Sequence, residues 1–198
     1  NRLWRRRFFR AVAPLRLENV PFSPPPGEWV ELRPLLCGIC GSDLSLLRAS
    51  ESMLLEPYAS FPAVLGHEVL AEVVSVPSSA VSALGTPLTP GQRVAVNPLL
   101  PCRVRGVEPC RYCAQGQENL CENFLHGNLA PGLVLGYNAS LGGGMSERLA
   151  AHPSQLLPVP DTMPDETAIL TDALASALQP ALNNLPEDQD VAVVYGAG

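Results

Sequence analysis

Residues 29–43 read Trp29-Val-Glu-Leu-Arg-Pro-Leu-Leu-Cys-Gly-Ile-Cys-Gly-Ser-Asp43, and they join a strand pattern to two cysteines. Apolar and polar residues alternate over 29–33, which predicts a half-buried β-strand. The preceding Ser23-Pro-Pro-Pro-Gly27 is typical of a turn before such a strand. The cysteines that follow, together with the carboxylate of Asp43, are groups that bind metal ions. The stretch therefore predicts a short strand that leads into potential metal ligands.

Short strands and turns continue as far as residue 164. Residues 64–76 contain a strand with mixed faces, and Thr89-Pro-Gly-Gln92 is a turn that leads into the apolar strand Arg93-Val-Ala-Val-Asn97. The 21 prolines of the 198-residue chain fit many turns between short strands. We expect residues 1–164 to form one mainly β domain, built as a closed or nearly closed barrel.

The pattern changes after Pro164. Two acidic residues precede apolar residues at helical spacing from 168 to 178, which predicts a helix. Asp190-Val-Ala-Val-Val-Tyr-Gly-Ala-Gly198 then reads as a strand that runs into Gly-x-Gly, as in the first strand and phosphate loop of a Rossmann unit. We expect residues 165–198 to begin a second, incomplete α/β domain, with Gly196 and Gly198 against the phosphates of a cofactor. The whole chain is thus predicted to be mainly β with some α.

The composition argues against several kinds of partner. Apolar residues make up 46% of the chain and charged residues 16%, which favours a folded core. All 13 basic residues are arginines and the net charge is -6, so nucleic acid is not an expected partner. No apolar run approaches the roughly 20 residues of a membrane span and no signal-peptide pattern is present, so we expect a cytoplasmic protein without membrane contact. The arginine-rich residues 1–10 are read as a solvated strand or as a start that is not the true start, with a targeting or membrane-surface segment as the alternative.

The six cysteines fall into two groups. Cys37 and Cys40 form a pair, and the other four crowd into one loop: Cys102, Cys110, Cys113 and Cys121. Without a secretory leader the thiols should stay reduced, which favours zinc ligation over disulfide formation. Taken alone, Cys37 and Cys40 could also be a redox pair, although no thioredoxin-like βαβ pattern surrounds them.

A second motif, Gly66-His-Glu68, adds an imidazole and a carboxylate. Such groups suit an open zinc site, which needs three protein ligands and one free position. With Cys37-Gly-Ile-Cys-Gly-Ser-Asp43, the motif resembles the zinc-containing medium-chain dehydrogenases, among them alcohol, sorbitol and threonine dehydrogenases. The resemblance extends from about Pro24 to the end of the chain. The later segments that carry it are the cysteine-rich loop, Gly142-Gly-Gly144, Leu157-Pro-Val-Pro-Asp161 and the final Gly-x-Gly.

This resemblance implies a GroES-like β-barrel with a catalytic zinc. The implied ligands are Cys40 rather than Cys37, His67, and Asp172 in Thr171-Asp-Ala-Leu-Ala175. Polyol-type relatives often read Glu-Pro-Leu at that place, so Asp and Ala are departures from the family pattern. The alternative role of Asp172 is a carboxylate near the start of a helix.

Three neighbouring residues receive roles from the same resemblance. Glu68 would tune the metal and approach it during ligand exchange. Ser42 would accept the proton of the alcohol and pass it toward the cofactor ribose. Asp43 is expected to be structural.

The cysteine-rich loop resembles the structural zinc lobe of the family, which implies four thiolate ligands: Cys102, Cys110, Cys113 and Cys121. Seven residues, 103–109, separate the first two cysteines, where the family has two. Arg103, Arg105 and Arg111 either offset the charge of a tetrathiolate site or form an ordinary solvated surface.

The implied function of the full-length protein is oxidation of an alcohol or polyol, or reduction of the carbonyl, by hydride transfer with NAD or NADP. The segment by itself should bind zinc without catalysing. A homo-dimer or homo-tetramer is implied only for the full-length protein. One alternative is a non-catalytic relative that acts as a zinc-stabilised scaffold or binding module. Another is a zinc-ribbon interaction protein, in which Gly66-His-Glu68 would have no role. Leu46, Tyr58, Phe61 and Leu125 are pocket candidates that packing explains better.

Overall fold

The computed structural model describes residues 15–47, 58–193 and 195. The arginine-rich residues 1–10, and Gly196 and Gly198, lie outside them. The strands and helices within these ranges are β1 (Val30–Cys37), α1 (Gly41–Leu47), β2 (Val69–Ser75), β3 (Arg93–Val96), β4 (Leu149–Ala151), β5 (Leu156–Pro158), α2 (Asp165–Ala168) and α3 (Thr171–Asn183). In this part of the chain, no helix is long and apolar enough to cross a membrane.

The five strands form one antiparallel sheet in the order β4-β1-β2-β3-β5. The strands predicted around residues 29–33, 64–76 and 93–97 are its three central members. Strands β4 and β5 form the two edges and are not paired with each other in the described ranges, so the predicted barrel is observed as a half-barrel. The mainly β prediction is confirmed.

The main core lies on one face of this sheet. In β1, Val30 and Leu32 are fully buried while Arg33 is exposed and pairs with Glu72 on β2 at 2.9 Å. This alternation places the apolar side chains of β1 in the core and its charges toward solvent. Strand β2 is buried over most of its length, because its other face is covered too.

The chain between residues 156 and 169 covers that second face. Val159 and Ala168 pack with Leu70 of β2 and Ala95 of β3 in a small separate cluster. Arg93 fixes the same segment, because its guanidinium pairs with Asp165 and donates to the carbonyl oxygen of Pro160 at 2.9 Å. Helix α2 is therefore anchored on the sheet.

Helix α3 leaves the sheet and confirms the predicted helical periodicity. It has no buried residue, and Leu174, Leu178 and Leu182 form an exposed apolar stripe along it. The predicted strand at 190–198 is not observed, since residues 190–193 and 195 have no secondary structure and Val194 lies outside the described residues. A strand of a parallel sheet needs a neighbouring strand to pair with, and the described chain offers none.

The segment Gly142-Gly-Gly144 packs against the backbone that leads into β2. Gly144 donates its N–H to the carbonyl oxygen of Gly66 at 2.8 Å, and Met145 donates to that of Leu65 at 2.9 Å. A Cβ at Gly143 would lie well inside van der Waals contact with the carbonyl oxygens of Val64 and Leu65. Only glycine permits this approach of two backbones.

We expect Val73→Ala to lower the free energy of unfolding by about 2 kcal/mol, because Val73 is 1% exposed and the change leaves a cavity in the core. Val74→Ala is the matched control. Val74 follows in the same strand on the opposite face and is 39% exposed, so its cost should stay below about 1 kcal/mol. Equal losses in denaturant unfolding would contradict the assignment of the core face.

Gly143→Ala should destabilise the chain by about 1–3 kcal/mol, since the added methyl group must push residues 64 and 65 away. Gly142→Ala should change stability by less than about 0.5 kcal/mol, because the nearest atom to its added Cβ is 3.4 Å away. Thermal unfolding of the two variants measures the difference. A Gly143→Ala variant as stable as Gly142→Ala would show that the close approach is not required.

Candidate metal centres

The register of β1 and β2 brings the two ligand motifs together. The strands are antiparallel and Cys37 pairs with Val69, so the residues after β1 and those before β2 lie at the same end of the sheet. The Gly38 N–H donates to the carbonyl oxygen of Glu68 at 2.8 Å and extends this pairing by one bond. Cys40 and His67 therefore meet although they are far apart in sequence.

The meeting point is a cluster of three potential ligands. Cys40 Sγ, a ring nitrogen of His67 and a carboxylate oxygen of Glu68 all lie within 4.8 Å of one another. A thiolate, an imidazole and a carboxylate form the mixed ligand set that a borderline-soft ion such as zinc accepts. The cluster fits a metal centre.

Asp43 supports this cluster from inside the protein. It is 1% exposed, and its Oδ2 accepts the backbone N–H of Cys40 at 2.9 Å. Its Oδ1 faces Nδ1 of His67 at 3.8 Å, and this buried nitrogen has no hydrogen-bond partner. A hydrogen bond between these two atoms, which would need a closer approach than 3.8 Å, would fix the tautomer of the histidine and leave Nε2 for an ion. Asp43 thus contributes to the geometry of the site from behind the ligands.

Asp172 lies near the cluster without joining it. Burial raises the pKa of its carboxyl group, His67 lowers it and Glu68 raises it, so both side chains are within electrostatic reach. Its oxygens are not among the described ligand atoms that lie within 4.8 Å of one another. The structure places Glu68, rather than Asp172, beside Cys40 and His67. Asp172 as third ligand stays a prediction, which requires movement of the first turn of α3.

Tyr137 is a site residue that the sequence analysis missed. Its hydroxyl is 2.7 Å from Asp43 Oδ1 and 3.1 Å from Ser42 Oγ, and its ring lies 5.3 Å from that of His67. Burial, the leading cause, and Asp43 raise the pKa of Tyr137, so the hydroxyl stays protonated. A lone tyrosine in a loop carries no motif, and no sequence signal marks this one.

Cys37 is excluded from the cluster by its position. Its thiol donates to the carbonyl oxygen of Gly38, and burial raises its pKa to about 11, with Asp43 and Glu68 adding to the effect. The Cys37 sulfur is not among the described ligand atoms of the cluster that lie within 4.8 Å of one another. The arrangement supports Cys40 as the ligand of the pair.

The second cluster consists of the four loop cysteines, named here the cysteine lobe: Cys102, Cys110, Cys113 and Cys121. Their sulfur atoms all lie within 4.8 Å of one another, and all four thiols are free. The sulfurs of Cys102 and Cys121 are 3.6 Å apart. Four sulfurs placed tetrahedrally at about 2.3 Å from zinc would be separated by about 3.8 Å. The insertion at 103–109 therefore does not prevent a four-thiolate site.

One backbone and one side-chain N–H group donate to a sulfur of the lobe. The backbone N–H of Cys110 donates to Cys102 Sγ at 3.2 Å, and the side-chain amide of Asn123 donates to the same sulfur at 3.3 Å. Backbone hydrogen bonds from Cys113 and Glu122 lower the pKa of Cys110 to about 6, while burial raises that of Cys121. Hydrogen bonds to sulfur favour the thiolate form that binds zinc.

The three arginines of the lobe have different environments. Arg103 is exposed, and Arg111 pairs with Glu122 at 2.6 Å on the surface. Arg105 is fully buried, so the solvated reading is wrong for it. Burial lowers its pKa, and the nearby Cys121 and Cys102 raise it.

The pocket candidates remain untested as substrate contacts. Tyr58, Phe61 and Leu125 are 40%, 53% and 42% exposed, and Tyr58 packs on the ring of Phe124 at 4.9 Å. Leu46 is half-buried on α1. The contact with Phe124 accounts for the position of Tyr58.

Known relatives share this architecture. The chain is 30% identical over 176 residues to the starvation-sensing protein RspB of Escherichia coli K12, covering 89% of this chain and 44% of the relative. It is 28% identical over 184 residues to an L-threonine 3-dehydrogenase of Rhizobium rhizogenes, covering 93% and 47%. The chain thus spans less than half the length of these curated relatives.

Solved structures agree with the fold. A 2R,3R-butanediol dehydrogenase from Bacillus subtilis matches with a TM-score of 0.63 at 26% identity, over 87% of this chain and 45% of that one. An alcohol dehydrogenase of E. coli CFT073 in complex with the cofactor NADH matches with a TM-score of 0.66 at 27% identity, over 91% and 45%. The family model described as the alcohol dehydrogenase GroES-like domain matches residues 26–161. The chain therefore belongs to the alcohol dehydrogenase GroES-like domain family, within the zinc-type medium-chain dehydrogenases.

Proposed function

We propose that this chain carries the catalytic domain of a zinc-dependent dehydrogenase that oxidises an alcohol or polyol, or reduces the carbonyl, with NAD or NADP. The observation that carries the proposal is the convergence of Cys40, His67 and a carboxylate within 4.8 Å, at the sheet end next to Ser42. The relatives named as dehydrogenases, and the NADH complex of one structural neighbour, support the reaction class and the cofactor.

Cys40 and His67 would hold the catalytic zinc, with Glu68 or Asp172 as the carboxylate ligand. A zinc ion there would acidify the hydroxyl of an alcohol substrate near neutral pH. The cysteine lobe would hold a second, structural zinc with four thiolates and no open position.

Ser42 would receive the substrate proton. A tyrosine hydroxyl has one proton, and a carboxylate only accepts, so Tyr137 donates to Asp43 at 2.7 Å. The Tyr137 hydroxyl is also the donor at 3.1 Å from Ser42 Oγ, so its proton is shared between the two acceptors. Ser42 Oγ would accept the proton of an alcohol on its remaining lone pair and release its own proton toward the cofactor ribose. Asp43 and Tyr137 thus orient Ser42.

Residues 1–164 are proposed as the GroES-like zinc-binding domain and residues 165–198 as the start of the nucleotide-binding domain. The exposed leucine stripe of α3 supports this division, because a complete domain would cover it. Gly196 and Gly198 would then belong to the phosphate loop. The substrate would be a small molecule, with a homo-dimer or homo-tetramer as the proposed assembly and the cytoplasm as the proposed compartment. A scaffold without catalysis would have no use for Ser42 beside two metal ligands, so we do not favour it.

The test uses the protein with its complete nucleotide-binding domain. We expect reduction of NAD or NADP with at least one member of a panel of alcohols, polyols and 3-hydroxy amino acids, measured by absorbance of the reduced cofactor. Ser42→Ala should lower kcat by about 10²–10⁴-fold with zinc content unchanged, because general acid–base transfer is lost. Ser79→Ala, in an exposed turn, is the control. A zinc-loaded protein that reduces neither cofactor with any of these substrates would contradict the proposal.

A further inference from the structure

The inserted segment 103–109 contains the one fully buried arginine of the described residues. Arg105 is 0% exposed, and its side chain reaches from the segment into the loop at 126–132. All five of its N–H groups have backbone acceptors at hydrogen-bond distance. These are the carbonyl oxygens of Leu100, His126, Leu129, Ala130 and Gly132. The guanidinium thus holds two loops together.

The positive charge of Arg105 has no carboxylate partner. In the described ranges no acidic side chain lies within 4.0 Å of its guanidinium, whereas the exposed Arg111 has Glu122. Backbone carbonyls supply dipoles but no full charge. A buried cation without an opposite charge is strongly unfavourable, so an anion nearby is expected.

Among the described residues, the cysteine lobe supplies the thiolates that can act on Arg105. Burial, the larger effect, lowers the pKa of Arg105, and negative charge on Cys121 and Cys102 raises it. The backbone keeps the segment against the lobe, because Val107 donates to the carbonyl oxygen of Cys102 at 3.1 Å and Arg105 donates to that of Pro101 at 3.1 Å. Four thiolates around one Zn²⁺ carry a net charge of about −2, which a single guanidinium offsets in part.

We propose that Arg105 is a built-in counter-charge and clamp for the zinc of the cysteine lobe, which ties metal retention there to the order of the loop at 126–132. The charge of the metal-bound thiolates stabilises the buried guanidinium, and the guanidinium stabilises the thiolates in turn. By linkage, each strengthens the other to the same extent. The inserted segment is therefore part of the metal site. This inference rests on the proposed structural zinc and is independent of dehydrogenase activity.

The test measures zinc affinity of the lobe by competition with a chromogenic chelator under reducing conditions, in a Cys40→Ser background that leaves only this site. Arg105→Gln should weaken zinc binding by at least about tenfold, as loss of an outer partner of a metal site does. Arg105→Lys keeps the positive charge but not the five N–H donors, so its zinc affinity should lie between those of Arg105→Gln and the parent. Arg103→Gln and Arg111→Gln remove exposed charges of the same lobe. The zinc affinity of each variant should stay within about twofold of that of the parent.

If Arg105→Gln binds zinc as tightly as the parent, the proposal is wrong. If Arg105→Gln does not fold, the proposal is tested instead by hydrogen exchange of the parent protein with and without zinc. The backbone N–H of Asn128 donates to the carbonyl oxygen of Arg105 at 2.9 Å, so zinc binding must slow the hydrogen exchange of this N–H group. The backbone N–H of Val73, in the core, serves as the reference. Unchanged exchange at Asn128 contradicts the proposal. A parent without zinc in the lobe would refute the structural site itself, which separates that failure from a failure of Arg105 alone.

Discussion

The antiparallel register of β1 and β2 is the constraint on which the rest of the site depends. Pairing of Cys37 with Val69 places the chain after β1 and the chain before β2 at one end of the sheet. A slip of one residue would turn Val30 and Leu32 out of the core, so burial and register support each other. The pairing of these two apolar strands sets the positions of the metal ligands. Metal binding at the site therefore depends on the packing of the core as well as on the ligand side chains.

Buried polar side chains organise the loops where regular structure is scarce. Asp43, Arg105 and Asn138 are each at most 1% exposed, and each bonds to backbone groups outside regular secondary structure. Asn138 donates to the carbonyl oxygen of Ala130 at 2.8 Å, and Arg105 donates to the same oxygen at 3.0 Å. Long loops cannot satisfy their backbone groups by strand pairing, so side chains take that role.

Much of this arrangement could be predicted from sequence because it follows local rules. The strands around 29–33 and 93–97, the helix after Pro164, and both cysteine groups were visible as patterns of alternation, turn residues and ligand spacing. What could not be predicted depends on distant contacts. The burial of Arg105 and the position of Tyr137 between Ser42 and Asp43 are set by tertiary packing. The strand predicted over 190–198 stays a prediction, because a strand of a parallel sheet needs a neighbouring strand and the described residues contain none for it.

Two separate zinc sites of different ligand chemistry are the central claim of this account. Zinc content of the purified chain, measured by elemental analysis with X-ray absorption at the zinc edge, tests it most directly. We expect two zinc ions in the parent and the loss of one in each of the variants Cys40→Ser and Cys113→Ser. The zinc that remains in Cys113→Ser should have one sulfur ligand with nitrogen and oxygen, and that in Cys40→Ser four sulfurs. A single zinc ion, surrounded by sulfur and lost only with Cys113, would contradict the catalytic site.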